Sequence, residues 1–478
     1  MNCNYTIHGY LFCKENFTNL SKNNINIIIK NTEGIWDSGY KNAIKDVKNN
    51  SLNINNVIIH RHSEIKNIEK YTKENNILLE KDIVDIEKEG NIAFPTSFQM
   101  KHYENKVALL NLFLKSNIKI PKTWYFKSLD NAIKYINEIE FPIIIKRPYS
   151  CYSRGIMQCL TKDNYIETIT NFFKTSDECI IQKKINFTKE ARLTYVGDKI
   201  FHGYYRIKKN KEQLSGCTKF GSKTSFDIDL KKNENFIKSF VKKTGYDIGG
   251  IDVVWEDDNE DTEPYVLEVS PIFDMNPPPP INWNESYKKF KEKPEHNIKK
   301  KEEIFKICKH IVDYVKEKYN RPTIYCDIDS TINNHYVRIK KWSENNKINS
   351  KAYTYEEIIK DEPLDNAIKS NHLLYDKFNI YFITARKKFP NAYNSTRDWL
   401  NKHGFRYDRI ILTNNSEDKI KYLKEDNNLK FFIDDCKKNY ESNPVLNQSF
   451  IDKLKENNIP FVIFNNNWDF ITDKIIND

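Results

Sequence analysis

The chain has 478 residues, 39% of them hydrophobic, with 28 Tyr and 28 Phe; this suffices for sizeable cores, predicts about three domains and excludes a disordered chain. Its 76 basic and 66 acidic residues leave a net charge of +10, which suits anionic substrates such as phosphates and is also compatible with weak nucleic-acid attraction. The nine cysteines stand singly without a C-x-x-C pair, and no apolar N-terminal stretch or membrane-length apolar run occurs, so a reduced, cytoplasmic protein with no membrane partner is expected.

Residues 1–95 alternate short apolar strands (Ile25 to Ile29, Val57 to Ile59) with a helical stretch from Asp82 to Glu89, the pattern of an α/β subdomain that carries no chemistry. A second segment, 96–280, opens with a helix from Asn105 to Leu114, apolar at helical spacing. Phe141 to Pro148 reads as a buried strand ending in cations, and Tyr149 to Ile156 as a flexible loop whose backbone N–H groups can cradle phosphates. The strand Cys179–Gln182 leads into Lys183-Lys184-Ile185, and Lys189 to Arg192 precedes Leu193 to Ile200. Gly216 to Thr224 is one residue too long for a P-loop and no buried strand feeds it, so it reads as a mobile loop near an acceptor.

Gly250 to Trp255 and Pro264 to Ser270 are two β-branched strands flanking an acidic turn, the signature of a hairpin. A turn symmetric about residue 260 places Asp252 opposite Glu268, on one face with Ser270. Two carboxylates there either face solvent or hold a divalent cation, for which oxygen-only donors select Mg²⁺ or Mn²⁺.

The order Lys106, Lys146 with its loop, Gln182 to Ile185, Arg192, Arg206, Asp252 and Glu268 resembles the ATP-grasp superfamily. The resemblance implies ATP and Mg²⁺, with Mn²⁺ as a substitute. Lys106, Lys146, Ser153 and Gly155 match the phosphate-binding positions, and Gln182 and Ile185 the adenine edge. Glu190 matches a ribose or orienting carboxylate, Arg192 and Arg206 the basic pair facing an acyl phosphate, and Asp252 and Glu268 metal ligands. The family usually has Asn two residues after that glutamate; here Ser270 stands there, so either Ser270 or Asn276 completes the shell.

Residues 281–320 read as a charged linker and helix, introduced by four prolines at 277–280; the helix, Glu302 to Lys318, carries Ile304, Phe305, Cys308, Ile311, Val312 and Val315 on one stripe. The last domain, 321–478, begins with a strand that ends in Asp327-Ile328-Asp329-Ser330-Thr331, placing a carboxylate at the carboxyl end of a parallel sheet. Further strands end in Thr384-Ala385-Arg386, in Thr413 followed by Lys419, and in Asp434-Asp435. This order resembles the haloacid dehalogenase (HAD) phosphatases. It implies Asp327 as nucleophile, Asp329 as acid/base, Thr384 and Lys419 holding phosphate, and Mg²⁺ on Asp327, the Asp329 carbonyl and Asp434. Ile332 to Pro363 is too short for a large cap, which leaves an open site.

The expected fold is thus a multidomain α/β and α+β protein: a pre-ATP-grasp α/β subdomain, an ATP-grasp fold, and a HAD-like Rossmannoid parallel sheet with a small cap. The expected function is bifunctional. An ADP-forming ligase joins a small-molecule carboxylate to an amine through an acyl phosphate, and a Mg²⁺-dependent phosphatase acts on a phosphorylated substrate or product, as in surface-polysaccharide or other small-molecule biosynthesis. Two other classes stay open. One is nucleic-acid end processing, because Thr396-Arg397-Asp398-Trp399-Leu400 after the T-A-R also resembles polynucleotide phosphatases; against it stands the lack of a P-loop kinase or a K-x-D-G lysine. The other is a nucleotide-sensing module with a degenerate site, supported by Ser270. Oligomeric state is left open.

Overall fold

A computed structural model describes residues 6–10, 26–29, 56–60, 73–150, 155–210, 213, 214, 216, 222–271, 294–345 and 347–477. Strands β1 (Thr6–Tyr10), β2 (Asn26–Ile29), β3 (Asn56–His60) and β4 (Ile92–Phe94) form a parallel sheet in the order β2-β1-β3-β4. The helix preceding β4, Lys73–Lys88, begins well before the expected stretch at Asp82.

The next sheet is antiparallel: β5 (Thr123–Phe126), β6 (Ile143–Lys146), β7 (Ile156–Cys159) and β8 (Cys179–Lys183) in the order β5-β8-β6-β7. Ile143 and Ile145 pack into a core with Tyr165 and Phe172, and the two-residue period turns Lys146 to the opposite face.

A third sheet follows, β9 (Lys189–Val196), β10 (Lys199–Ile207), β11 (Lys223–Ser225), β12 (Ile248–Val254) and β13 (Tyr265–Ser270), ordered β11-β10-β9-β12-β13 and antiparallel throughout. Ala191, Leu193, Ile251 and Val253 point into a core shared with Ile237 and Phe240 of the helix Leu230–Thr244. The alternate residues, Glu190, Arg192 and Asp252, are therefore gathered on the other face. Asp252 pairs with Glu268, as a turn symmetric about residue 260 requires; the symmetry then breaks, because a bulge follows Asp252 and Val253 pairs with Val266.

The helix expected over Glu302–Lys318 runs from Pro294 to Tyr319. Of its predicted stripe, Ile311, Val312 and Val315 are buried, while the side chains of Ile304, Phe305 and Cys308 lie outside the described residues. The helix does more than connect. Its residues join one apolar cluster with Val196 and Ile248 of the third sheet and with Tyr325, Tyr381 and Phe432 of the last. The Lys318 ammonium is buried between Asp247, just before β12, at 2.8 Å and Asp408, just before a strand of the last sheet, at 3.1 Å. Tyr314 and Gln99 also donate to Asp247, at 2.8 and 2.5 Å.

The last sheet comprises β14 (Thr323–Cys326), β17 (Asn379–Thr384), β18 (Arg409–Leu412), β19 (Leu429–Asp434) and β22 (Phe461–Ile463), parallel throughout in the order β18-β17-β14-β19-β22. Its central strands are near-continuous apolar runs because helices cover both faces. Between β14 and β17 lies a small cap: the helices His335–Lys341 and Tyr355–Ile358 and the hairpin of β15 (Ser343–Glu344) and β16 (Lys347–Ile348). A second hairpin, β20 (Lys437–Lys438) with β21 (Val445–Leu446), follows β19. No described helix is long and apolar enough to cross a membrane.

Candidate active sites

The first site lies on the polar face of the third sheet, facing the end of β6. Asn105 caps the helix Lys106–Lys115 by accepting from the Ala108 N–H at 3.1 Å, and this presents Lys106 at the first turn. The Lys106 ammonium donates to the Ser150 carbonyl at 2.5 Å and lies 3.6 Å from Glu268. Lys146 donates to the Gln182 side chain at 2.6 Å; burial, with the Lys106 charge beside it, lowers its ammonium to about 8. Ile185 is buried behind β8. Gly155 opens β7 in the left-handed region at φ +65, and a Cβ there would sit 2.7 Å from the Arg147 side chain. Ser153 and Asn276 lie outside the described residues, as does most of the stretch from Gly216 to Thr224.

Asp252, read as a metal ligand, accepts from Arg192 at 2.9 Å and from Arg206 at 2.6 Å, so both its oxygens are held by guanidinium groups. The two arginines read as facing an acyl phosphate thus close on Asp252, because register places Arg192 directly across from it. Gly250 makes this possible: a Cβ there would lie 2.7 Å from the Arg192 guanidinium. Glu190 accepts from Arg206 at 3.1 Å and from the Gly216 N–H at 3.3 Å, so it orients the arginine; burial raises its carboxyl. Ser270 is buried opposite Gly250. Sequence reasoning missed Glu104, a non-glycine residue at φ 50 that precedes the capping Asn105. Its Oε2 is buried without a hydrogen-bond partner among the described residues, 3.9 Å from Lys106, and burial with the Glu268 charge pushes its carboxyl up to about 8. Glu268, Ser270 and Glu104 are hard oxygen donors of the kind Mg²⁺ takes.

The second site stands at the carboxyl ends of β14, β17 and β19. Lys419, on the helix Lys419–Glu425, donates to Asp327 at 2.5 Å and to Asp434 at 2.7 Å. Burial, together with Asp434 and Asp329, pushes Asp327 well up against the opposing pull of Lys419; burial would lower Lys419 itself, but the two carboxylates outweigh it and hold the ammonium charged. Asp327, Asp434 and Asp435 form the one group of three acidic side chains, among the described residues, whose ligand oxygens lie within 4.8 Å of one another. Lys419 brings one positive charge to these three buried carboxylates, and their clustered hard oxygen donors are of the kind that a divalent cation takes.

Asp329 is arranged differently from the acid/base expected of it. Arg386 grips it through Nε at 2.7 Å and through a second nitrogen, Arg338 approaches at 3.3 Å, and Thr384 donates at 3.4 Å. Burial opposes the charge, yet Arg386, His335 and Arg338 outweigh it and hold Asp329 well below the usual carboxylate range. In this arrangement its carboxylate is held ionised. Arg338 is in turn fixed by Asp361 at 2.9 Å, and Asn333 donates to the same carboxylate at 2.8 Å. Neither Arg338 nor Asp361 carried a sequence signal, since Arg338 meets Asp329, and Asp361 meets Arg338, only in three dimensions; Arg386 and Asp435 stood within the quoted strand ends without a role.

Residues 103–275 match the family model described as the RimK-like ATP-grasp domain, and this match covers the whole first site. The chain is also similar to two curated proteins, each an alpha-aminoadipate–LysW ligase LysX. With that of Sulfurisphaera tokodaii it is 25% identical over 129 residues, 25% of this chain and 43% of that protein. With that of Saccharolobus solfataricus it is 26% identical over 148 residues, 29% of this chain and 52% of that protein. The chain thus spans about half the length of the curated relatives it matches. A RimK domain ATP-grasp protein from Sphaerobacter thermophilus superposes with a TM-score of 0.34 at 12% identity, covering 56% of this chain and 92% of that one, a likeness too low to carry an argument.

Proposed function

We propose that the chain is an ADP-forming carboxylate–amine ligase joined to a phosphatase. The observation that carries the ligase reading is the convergence of Lys106, Lys146, Glu268 and the Arg192–Asp252–Arg206 bridge on one sheet face inside the segment that matches the RimK-like model. A carboxylate oxygen of the substrate attacks the γ-phosphorus of ATP, the bond to ADP breaks, and an amine then attacks the acyl carbon while phosphate leaves. Lys106 and Lys146 supply the charge that holds the phosphates, and Arg192 and Arg206, relieved of Asp252, supply charge to the acyl phosphate. Mg²⁺ held by Glu268 with Asp252 or Ser270 would neutralise the transferring phosphoryl group. The curated relatives are named for joining alpha-aminoadipate to LysW; here the acid and the amine are small molecules, one of them carrying a phosphate ester.

The phosphatase reading rests on Asp327, Lys419 and Asp434 at the ends of parallel strands, supported by their resemblance in order to HAD enzymes. Asp327 attacks phosphorus and the bond to the ester oxygen breaks, the leaving oxygen taking a proton from water; a water molecule then attacks the aspartyl phosphate, releasing inorganic phosphate and restoring the Asp327 carboxylate. Thr384 and Lys419 hold the phosphoryl oxygens. Mg²⁺ on Asp327, the Asp329 carbonyl and Asp434 would neutralise charge on the transferring group and keep Asp327 the anion that attacks.

Glu268→Gln should lower acceptor-dependent ADP release about 100-fold or more while Mg²⁺-dependent hydrolysis of a phosphate ester persists, and Asp327→Asn should do the reverse. Supplied with ATP and both substrates, Asp327→Asn should accumulate a phosphorylated amide; no ligation by that variant would mean the phosphatase acts first.

A further inference from the structure

The cap and the loop after β17 meet through two rings. Tyr353, from the cap, and Phe389, three residues beyond Arg386, lie face to face with centroids 3.6 Å apart and planes 5° from parallel. Rings left to their own attraction adopt offset or edge-to-face contacts with centroids further apart, so this sandwich is imposed by the elements that carry it. Each ring is half-buried and has a cation nearby: the Arg338 guanidinium 5.3 Å from the Tyr353 centroid, the Lys388 ammonium 5.2 Å from that of Phe389.

Tyr353 belongs to the reaction site. Arg338 bridges it to Asp329, and burial with the Asp329 charge beyond pushes its phenol up to about 12. Phe389 is tied to the same site through its N–H, which donates to the Arg386 carbonyl at 3.0 Å. Phe389 also lines a cavity of about 320 Å³, together with Lys387, Asn391 and Leu412 and with Lys88, Glu89 and Gly90 of the N-terminal segment. The ring pair is therefore linked to Asp329 through Arg338 and, through Phe389, to a cavity large enough for a small ligand's organic portion, with Lys88 and Lys387 among its walls.

We propose that Tyr353 and Phe389 form the leaving-group subsite of the second site, and that its substrate is a phosphate monoester whose alcohol carries a flat ring, as a nucleotide does. A base that enters between the rings, or displaces one of them, exchanges an imposed ring–ring sandwich for stacking on a π-face flanked by cations. The phosphate then lies at Asp327 and Lys419, and the ring points toward the cavity. This inference rests on the phosphatase reading above.

The test compares two esters that share one primary alcohol and differ only in the ring. Full-length protein is assayed with adenosine 5′-monophosphate and with ribose 5-phosphate, and an oligonucleotide with a terminal phosphate tells a strand end from a free nucleotide. The ratio of kcat/KM for the nucleotide to that for ribose 5-phosphate should be about 10 or more, the size of one stacking contact. Tyr353→Ala and Phe389→Ala should each bring that ratio toward one, a selective shift that a merely structural role would not produce, and Tyr353→Phe, which keeps the ring, should retain it. A stronger preference for the oligonucleotide assigns the ring to a strand end, and equal or weaker use assigns it to a free nucleotide; either supports the subsite. A ratio near one in the intact protein, or a ratio unmoved by both alanine variants, overturns it while leaving the phosphatase reading in place. Hydrolysis of none of the esters removes both.

Discussion

Each site places lysines among carboxylates, and burial disfavours the charge on all of them, so the neighbouring charges decide which stay ionised. Lys419 has two carboxylates within 2.7 Å and stays charged, whereas Lys146 has the Lys106 charge nearby and, among the described residues, an amide as its hydrogen-bond partner. The Lys146 ammonium, brought down to about 8 by burial and by Lys106, is protonated below that pH and neutral above it. The KM for ATP should therefore rise as pH increases through about 8, and Lys146→Arg, whose charge does not titrate there, should move that rise to higher pH. Steady-state ligation rates across pH 6 to about 10 check this; a flat KM in the wild-type protein contradicts it.

At the scale of elements, β12 carries the first site and the approach to the interdomain contact. Its polar face holds Gly250 and Asp252, and the residue before it, Asp247, reaches the long helix Pro294–Tyr319. Gly250→Ala should push the Arg192 guanidinium off Asp252, since the added Cβ would meet it at 2.7 Å. We expect kcat of ligation to fall by more than the protein's stability would explain, with a cost of about 1–3 kcal/mol in denaturant unfolding. At the other end, Lys318 is sandwiched between Asp247 and Asp408 with little solvent. Removing one partner of such a buried group leaves charge without compensation, so Lys318→Met should destabilise the whole chain by about 3–5 kcal/mol in the same measurement. The hairpin shows why an element can be right in pairing and still differ in detail: Asp252 faces Glu268, but the bulge after it displaces the rest of the strand by one residue.

For the whole molecule, the long helix makes the two halves one cooperative unit. Ile307, Ile311, Val312 and Val315 bury apolar surface against Val196 and Ile248 on one side and Tyr325 and Phe432 on the other. A fragment of residues 294–478 should consequently unfold at lower temperature than the same residues in the full chain, and calorimetry of the intact protein should show one transition in place of two. Two well-separated transitions would make the helix a tether. What could be read from the chain alone is what depends on local order: alternation that turns Arg192 and Asp252 away from the core, strand ends that carry Asp327, Thr384 and Asp434, and the spacing that sets Asp252 against Glu268. These follow from the periods of helix and strand, which every few residues repeat. Tertiary structure alone decided the rest. Arg338, fixed by Asp361, reaches Asp329 from the cap, Asp252 is held by two arginines, Glu104 approaches Lys106 through a left-handed backbone, and the helix Pro294–Tyr319 shares an apolar cluster with the third and last sheets. Apart from the Glu104–Lys106 pair, which a positive φ at Glu104 accompanies, these depend on groups brought together where water is excluded, and no local pattern encodes which distant charge or ring will be there.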